Sequence, residues 1–512
     1  MPTTYAALEI LAESSILATS LRGSSGGPLE NNVTGLLVRS TNSGWGRSSM
    51  VAVDAGTHLS GIAEVLEKTQ PQGLGVDVPL PHKLDSGPFA GLEITSKCAK
   101  TNAAEITKQL VDTYLITHPH IDHTCGFIIN TAGLQGNRPK RLAGLPSTIS
   151  AFKTHIFNNI IWPNLSDENN GAGLVTYMRL VEGGSPALGE GAGKGYIEIS
   201  EGLSVKAFGV SHGHCMERHQ HRGSASSSRI GSADLSTMLP RGAPGSGAAS
   251  GPSSLFRHAS IARSSGGVSQ EQESICVYDS TAFFIRHGTS GKEVLIFGDV
   301  EPDSISLSPR NLAVWREAAP RIASGHLTAI FIECSYTDSQ TNDRLFGHQA
   351  PRFIIEELET LASEVEAARR MPIKLETTKK RKREQGDAAR RAHPTARSIP
   401  DEQPVSPKST KVKPLMPDSD TDSPPMTPHL ATPTAELTLK DLDPTASITL
   451  PQKPQSSQPL AGLTVVIIHV KENFQPDSPA GETIENQLND HEEDAQLGCK
   501  FVISSRGASF SF

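Results

Sequence analysis

Short apolar runs recur along this chain, and several of them stop on a residue able to bind a metal. Val111-Asp112-Thr113-Tyr114-Leu115-Ile116 alternates, with Tyr114 and Ile116 on one face and Leu115 on the other, which predicts a buried strand. Further strands are predicted over Ala6–Ala12, Val33–Val38, Ser48–Asp54, Gly202–Val210, Ser274–Tyr278, Ala282–Ile285, Val294–Phe297, Leu327–Ile332 and Leu463–Ile468. Phe501-Val502-Ile503 followed by Arg506-Gly507 predicts a closing hairpin, and Glu13 to Arg22 reads as extra sequence ahead of a Gly-rich turn ending at Pro28. Helical spacing marks Phe152 to Asn164, with Pro163 as the stop. The same spacing marks a helix opening near Ala350-Pro351, whose inward face is Phe353, Ile354, Leu358, Leu361 and Val365.

The strand ending at Ile116 hands over to Thr117-His118-Pro119-His120-Ile121-Asp122-His123, four metal-compatible side chains within six residues. Imidazoles and a carboxylate suit zinc or a similar divalent ion, and His-x-His at a strand end lets two rings converge on one ion. Asp122 and His123 turn the other way and can hold a second, so the stretch points to a two-metal site; the bland alternative is histidines crowding a loop. Later strands repeat the arrangement. Gly202–Val210 runs into Ser211-His212-Gly213-His214, where His212 is the preferred ligand and His214 the alternate, while His219 and His221 read as solvated loop. Val294–Phe297 runs into Gly298-Asp299, a carboxylate placed either to bridge two metals or to cap a helix. Leu463–Ile468 ends on His469. Asp54, at another strand end before Ala55-Gly56, reads as a turn cap ahead of a support for ligands.

Composition limits the rest. The chain has 512 residues, a formal net charge of −8 and six scattered cysteines, which fit a reduced intracellular protein and call for neither a nucleic-acid nor a membrane partner. Glu9 and Glu13 interrupt the first apolar stretch, no basic residue precedes Arg22, and no apolar run could span a bilayer, so a cytoplasmic protein is expected. Residues 222–270 are rich in Ser and Gly, and 369–458 in Pro, Ser and basic residues; neither can bury enough apolar surface to offset the cost of ordering. The core is therefore expected in three pieces, 1–221, 271–368 and 459–512. The second insertion carries Lys379-Lys380-Arg381-Lys382-Arg383, a candidate nuclear-import run, and Ser-Pro or Thr-Pro steps at Ser406, Ser423 and Thr427 that could serve kinases or docking partners.

Together, His118, His120, Asp122, His123, His212, Asp299 and His469 each lie at or just beyond an apolar strand. That order resembles the metallo-β-lactamase superfamily, which implies an α/β fold: an αββα sandwich with metals at one edge. Within it the chain is similar to the class II cyclic-nucleotide phosphodiesterases of fungi. The stretches that carry the likeness include Asp54-Ala55-Gly56-Thr57-His58-Leu59-Ser60-Gly61, Ile161-Trp162-Pro163-Asn164-Leu165-Ser166-Asp167, Phe297-Gly298-Asp299-Val300-Glu301-Pro302-Asp303 and Glu333-Cys334-Ser335-Tyr336 with Phe346-Gly347-His348. The resemblance implies two divalent ions, Zn2+ by donor type. His118, His120 and His212 would hold one; Asp122, His123 and His469 would hold the other, with Asp299 between. It implies hydrolysis of cyclic AMP or cyclic GMP to a 5′-mononucleotide. Asp122 would also orient the attacking water, and His348, oriented by Glu333, would donate a proton to the departing 3′-oxygen; a helix-capping role for His348 is the alternative. Two other readings are an RNA 3′-processing nuclease of the same superfamily, disfavoured by the lack of a basic field around the core, and a non-catalytic scaffold, disfavoured by the full ligand set.

Overall fold

The computed structural model describes residues 16–20, 26–134, 136, 138–215, 276–370 and 458–512. The expected Ala6–Ala12 strand, His219, His221, the 222–270 insertion, nearly all of 369–458 and the basic and Ser-Pro motifs lie outside the described residues.

The amino-terminal half supplies β1 (Ile16–Ser20), β2 (Leu36–Ser40), β3 (Met50–Val53), α1 (Leu59–Thr69), β4 (His82–Lys83), β5 (Glu93–Ile94), α2 (Ala99–Gln109), β6 (Val111–Leu115), α3 (Ile121–Gly133), β7 (Lys140–Gly144), α4 (Pro146–Ala151) and β8 (Val175–Arg179). The second half supplies β9 (Ile197–Ser200), β10 (Leu203–Cys215), β11 (Cys276–His287), β12 (Glu293–Phe297), α5 (Asn311–Ala323), β13 (Leu327–Glu333), α6 (Pro351–Arg370), β14 (Thr464–Ile468), α7 (Ala480–Ala495), β15 (Lys500–Ile503) and β16 (Ser509–Ser511). Two seven-stranded sheets result, β16-β1-β2-β3-β6-β7-β8 and β15-β14-β13-β12-β11-β10-β9, with β4-β5 as a small separate pair.

Strand periodicity explains the layering. Along β11 to β14, Phe283, Ile285, Val294, Ile296, Ala329, Phe331, Val466 and Ile468 turn inward and meet Leu36, Val38, Val51, Val53 and Leu115 of the other sheet. The alternate residues Phe284, Leu295, Phe297, Ile330, Ile332, Val465 and Ile467 turn outward into an apolar layer shared with Trp315 of α5, Leu358 and Leu361 of α6, and Ile484 and Leu488 of α7. On the far side Ala52, Tyr114 and Leu142 pack with Ile62, Ala103 and Phe127 of α1, α2 and α3. Strands buried on both faces have to be apolar at nearly every position, which is why these runs are continuous. The layers are helix, sheet, sheet, helix, the αββα sandwich implied by the family resemblance.

Four local expectations are corrected. The Phe501–Ile503 run and the last residues do not form a hairpin: β15 pairs parallel to β14, while β16 pairs antiparallel to β1 in the other sheet. The Arg506-Gly507 turn thus crosses between sheets, a distinction that hydrophobic period cannot make. Glu13 to Arg22 is not extra sequence, because it contains β1, paired with β2. The two strands read at Ser274–Tyr278 and Ala282–Ile285 are one, β11. The helix expected to stop at Pro163 ends at Ile156, after a π turn over Phe152–Ile156. There Asn158 competes for the backbone: its Nδ2 donates to the Thr154 and His155 carbonyls at 3.2 Å and its Oδ1 accepts from the Ile160 and Ile161 amides at 3.0 and 2.9 Å.

Candidate metal centre

The expected donors come from separate segments that meet at one end of the sandwich, where β3, β6, β12, β13 and β14 all terminate. His118 and His120 follow β6, Asp122 and His123 open the first turn of α3, His212 sits in β10, Asp299 follows β12, Glu333 closes β13, His348 precedes α6 and His469 follows β14. His212 is carried at an irregularity in the β10–β11 register between Ser211 and His214. His214 is exposed and belongs to none of the ligand groups.

Three sets of donors lie within 4.8 Å: His118, His120, His212 and Asp299; Asp122, His123, Asp299 and His469; and His212, Asp299, Glu333 and His348. Asp299 is common to all three. Its Oδ2 lies 3.6 Å from His118 Nε2 and 3.5 Å from His212 Nε2. Its Oδ1 lies 3.2 Å from His123 Nε2 and 3.4 Å from His469 Nδ1. One carboxylate thus faces both halves of the cluster. The capping role is filled elsewhere: Asp303 accepts the Arg310, Asn311 and Leu312 amides at 2.8, 2.9 and 3.0 Å at the start of α5.

A layer of neighbours fixes the rings. Asp54 Oδ2 lies 2.8 Å from His123 Nδ1 and accepts the Thr117 hydroxyl at 2.8 Å, while its Oδ1 accepts the Thr117 amide at 2.8 Å. With that hydroxyl committed, His118 Nδ1 donates to Thr117 Oγ1 across 3.0 Å and Nε2 keeps its lone pair, 3.0 Å from His120 Nδ1. His212 Nδ1 donates to the Gly347 carbonyl at 2.9 Å, and Thr34 Oγ1 meets His469 Nδ1 at 2.8 Å. Asp54 therefore holds His123 and Thr117 in place, where the sequence reading favoured a turn cap. The cue was present, a carboxylate between a strand end and Ala55-Gly56; Thr34 and Thr117 gave none.

Close backbone approach sets the position of α3. The Ala55 amide donates to the His123 carbonyl at 2.8 Å, and the Gly126 and Phe127 amides return bonds to Gly56 and Ala55 at 3.0 Å each. A Cβ on Gly56 would fall 1.7 Å from the Asp122 carbonyl oxygen, and one on Gly26 would fall 2.4 Å from His469 Nε2. Gly213 and Gly347, with φ of 76° and 82°, face each other so closely that a Cβ on Gly347 would meet Gly213 N at 2.7 Å.

Burial leaves four of the cluster's imidazoles neutral, whereas at His123 burial is outweighed by Asp299 and Asp54, which raise the ring well above the ordinary imidazole range. Burial, with neighbouring His123, holds His118 well below the ordinary imidazole range; burial and His212 bring His120 to about 4. His212 and His469 are likewise lowered by burial. These neutral rings offer lone pairs. Burial would raise the Asp299 carboxyl, but His123 and His469 hold it well below the usual carboxylate range. Three atoms of the cluster, His123 Nε2, Asp299 Oδ1 and His469 Nε2, are buried without a hydrogen-bond partner, as expected where a cation would supply one. The donor set and these orphaned atoms fit two divalent ions.

Beside the cluster, Glu333 is fully buried and accepts three groups: the Val300 amide at 2.7 Å, the Ser335 hydroxyl at 2.6 Å and His348 Nδ1 at 2.9 Å. Burial would lower His348, but Glu333 more than offsets it and raises the imidazole. With its ring turned to Glu333, His348 does not cap α6.

Residues 16–230, 253–377 and 435–507 match the family model of class-II cAMP phosphodiesterases. The chain belongs to that family. The internal unmatched stretches, 231–252 and 378–434, fall inside the two low-complexity segments. This phosphodiesterase is 29% identical to the 3′,5′-cyclic-nucleotide phosphodiesterase of Schizosaccharomyces pombe over 70% of this chain and 78% of that one. It is 27% identical to that of Candida albicans over 67% of this chain and 82% of the other. Its fold matches the crystal structure of unliganded yeast PDE1 with a TM-score of 0.57, covering 97% of this chain and 99% of that one at 18% identity. No described helix is long and apolar enough to cross a membrane.

Proposed function

We propose that this phosphodiesterase hydrolyses 3′,5′-cyclic AMP and cyclic GMP to 5′-mononucleotides at a two-metal centre. The observation that carries the reading is Asp299, whose two oxygens face separate groups of histidines at 3.2 to 3.6 Å. His118, His120 and His212 with Asp299 Oδ2 would hold one ion; Asp122, His123 and His469 with Asp299 Oδ1 would hold the other. Two bound divalent ions, Zn2+ by the imidazole-rich donor set, would make water nucleophilic near neutral pH and offset charge on the phosphoryl oxygens. Asp122, at the open side of the cluster, orients the attacking water. As that water adds to phosphorus the P–O3′ bond breaks, and the departing oxygen needs a proton. His348 supplies it: Nδ1 is fixed on Glu333, which leaves Nε2 to hold the proton that moves to the 3′-oxygen.

Incubating the metal-loaded protein with cyclic AMP, cyclic GMP and a precursor transfer RNA tests the reading. 5′-AMP and 5′-GMP are expected, with the RNA intact; 3′-monophosphate products or cutting of the RNA alone would overturn it. His348→Gln is expected to lower kcat by about 10²–10⁴ with little change in KM. A p-nitrophenyl diester, whose leaving group needs no proton, should lose far less. Equal losses on both substrates would remove the proton-donor role.

A further inference from the structure

Phe346 is out of place by ordinary packing rules. Its side chain is exposed, with 71% of the residue's surface open, and its backbone is left-handed at a φ of 53°. A bulky residue in that region is strained, and strain of this kind persists where the surroundings enforce it. Here they do. Leu345, 1% exposed, anchors one side in a small apolar cluster with Ala350 and Phe353. On the other side the Gly347 carbonyl holds His212, and His348 is fixed on Glu333. Phe346 thus lies, with an exposed side chain, on the turn that positions two of the centre's imidazoles. Another exposed phenylalanine with a φ of 53°, Phe474, sits farther along the loop that follows His469, where Asn473 donates to the Ser478 carbonyl and accepts from the Gln475 amide.

The proposed substrate has a part that the metal cluster does not address. The phosphodiester meets the imidazoles and carboxylates, whereas the purine offers a broad π face. Aromatic side chains pair with such faces with little regard to which base it is. We propose that Phe346 is the platform on which the purine of the cyclic nucleotide stacks. This rests on the phosphodiesterase reading of the adjacent centre, and it makes Phe346 a specificity residue for base-bearing phosphates.

Binding of two probes to the metal-loaded protein, 5′-AMP and ribose 5-phosphate, tests it, because they differ only in the base. Phe346→Asn removes the ring while tolerating the left-handed backbone, and Phe346→Trp restores a π face. In Phe346→Asn the Kd for 5′-AMP is expected to rise about tenfold while that for ribose 5-phosphate stays within about twofold, and Phe346→Trp should bind 5′-AMP as the wild type does. An unchanged Kd for 5′-AMP in Phe346→Asn, an equal loss for both probes, or no recovery with Trp would overturn the platform and leave the phosphodiesterase reading standing. If the wild type binds neither probe, the reading of the centre fails and the platform with it.

Discussion

Asp122→Ala is expected to leave a folded protein whose cyclic-AMP turnover has fallen by about a thousandfold or more. The asymmetry follows from its surroundings. The Asp122 side chain is 32% exposed, and its carboxylate lies 3.8 Å from each of His123 Nε2 and His469 Nε2. In the first turn of α3 its charge is worth to the fold about 0.3–1 kcal/mol through the helix dipole. The same carboxylate is the open-side member of the proposed second ion's donor set. Melting by circular dichroism, turnover and elemental analysis together would check this: a melt within a few degrees of wild type, lost turnover and reduced metal content are expected. Retention of most activity would mean that the water is positioned by something else.

Removing divalent metal with a chelator is expected to abolish turnover and lower the melting temperature together, with Zn2+ restoring both. His123 Nε2, Asp299 Oδ1 and His469 Nε2 are buried and unpartnered, so the folded chain carries desolvated atoms whose cost a cation would relieve. An ion that binds only the folded form, at a free concentration a thousandfold above its Kd, contributes about 4 kcal/mol. In a chain of this size that amounts to several degrees, readable by scanning calorimetry with and without chelator. A melting temperature indifferent to chelation, with metal analysis confirming its removal, would sink the two-metal reading.

The periodicity of the sequence carried most of the strands because the central ones of both sheets are buried on both faces and have little compositional freedom, while their stacking into a sandwich was legible only through the family resemblance. It also carried the strand-end histidines, since Thr117 to His123 concentrates four donors where a strand has to stop. What it could not carry was identity of neighbours. Phe501–Ile503 is equally apolar whether it forms a hairpin or, as found, joins a different sheet from the residues that follow. Asp54 could cap or support, and only the approach of Thr117 and His123 decides. The Phe152–Asn164 stretch kept helical spacing past the point where Asn158 diverts the backbone, a contest between side chain and main chain that spacing does not register. Phe346 had no signal of its own, for its exposure and left-handed φ belong to the turn that holds it.

The order of the centre's parts along the chain also bears on biosynthesis. His118 to His123 come early, but β1 finds its outer partner only in β16, and His469 arrives after the long Pro- and Ser-rich stretch. A nascent chain thus lacks both the outer partner of β1 and His469 until the segment carrying β14 to β16 has emerged.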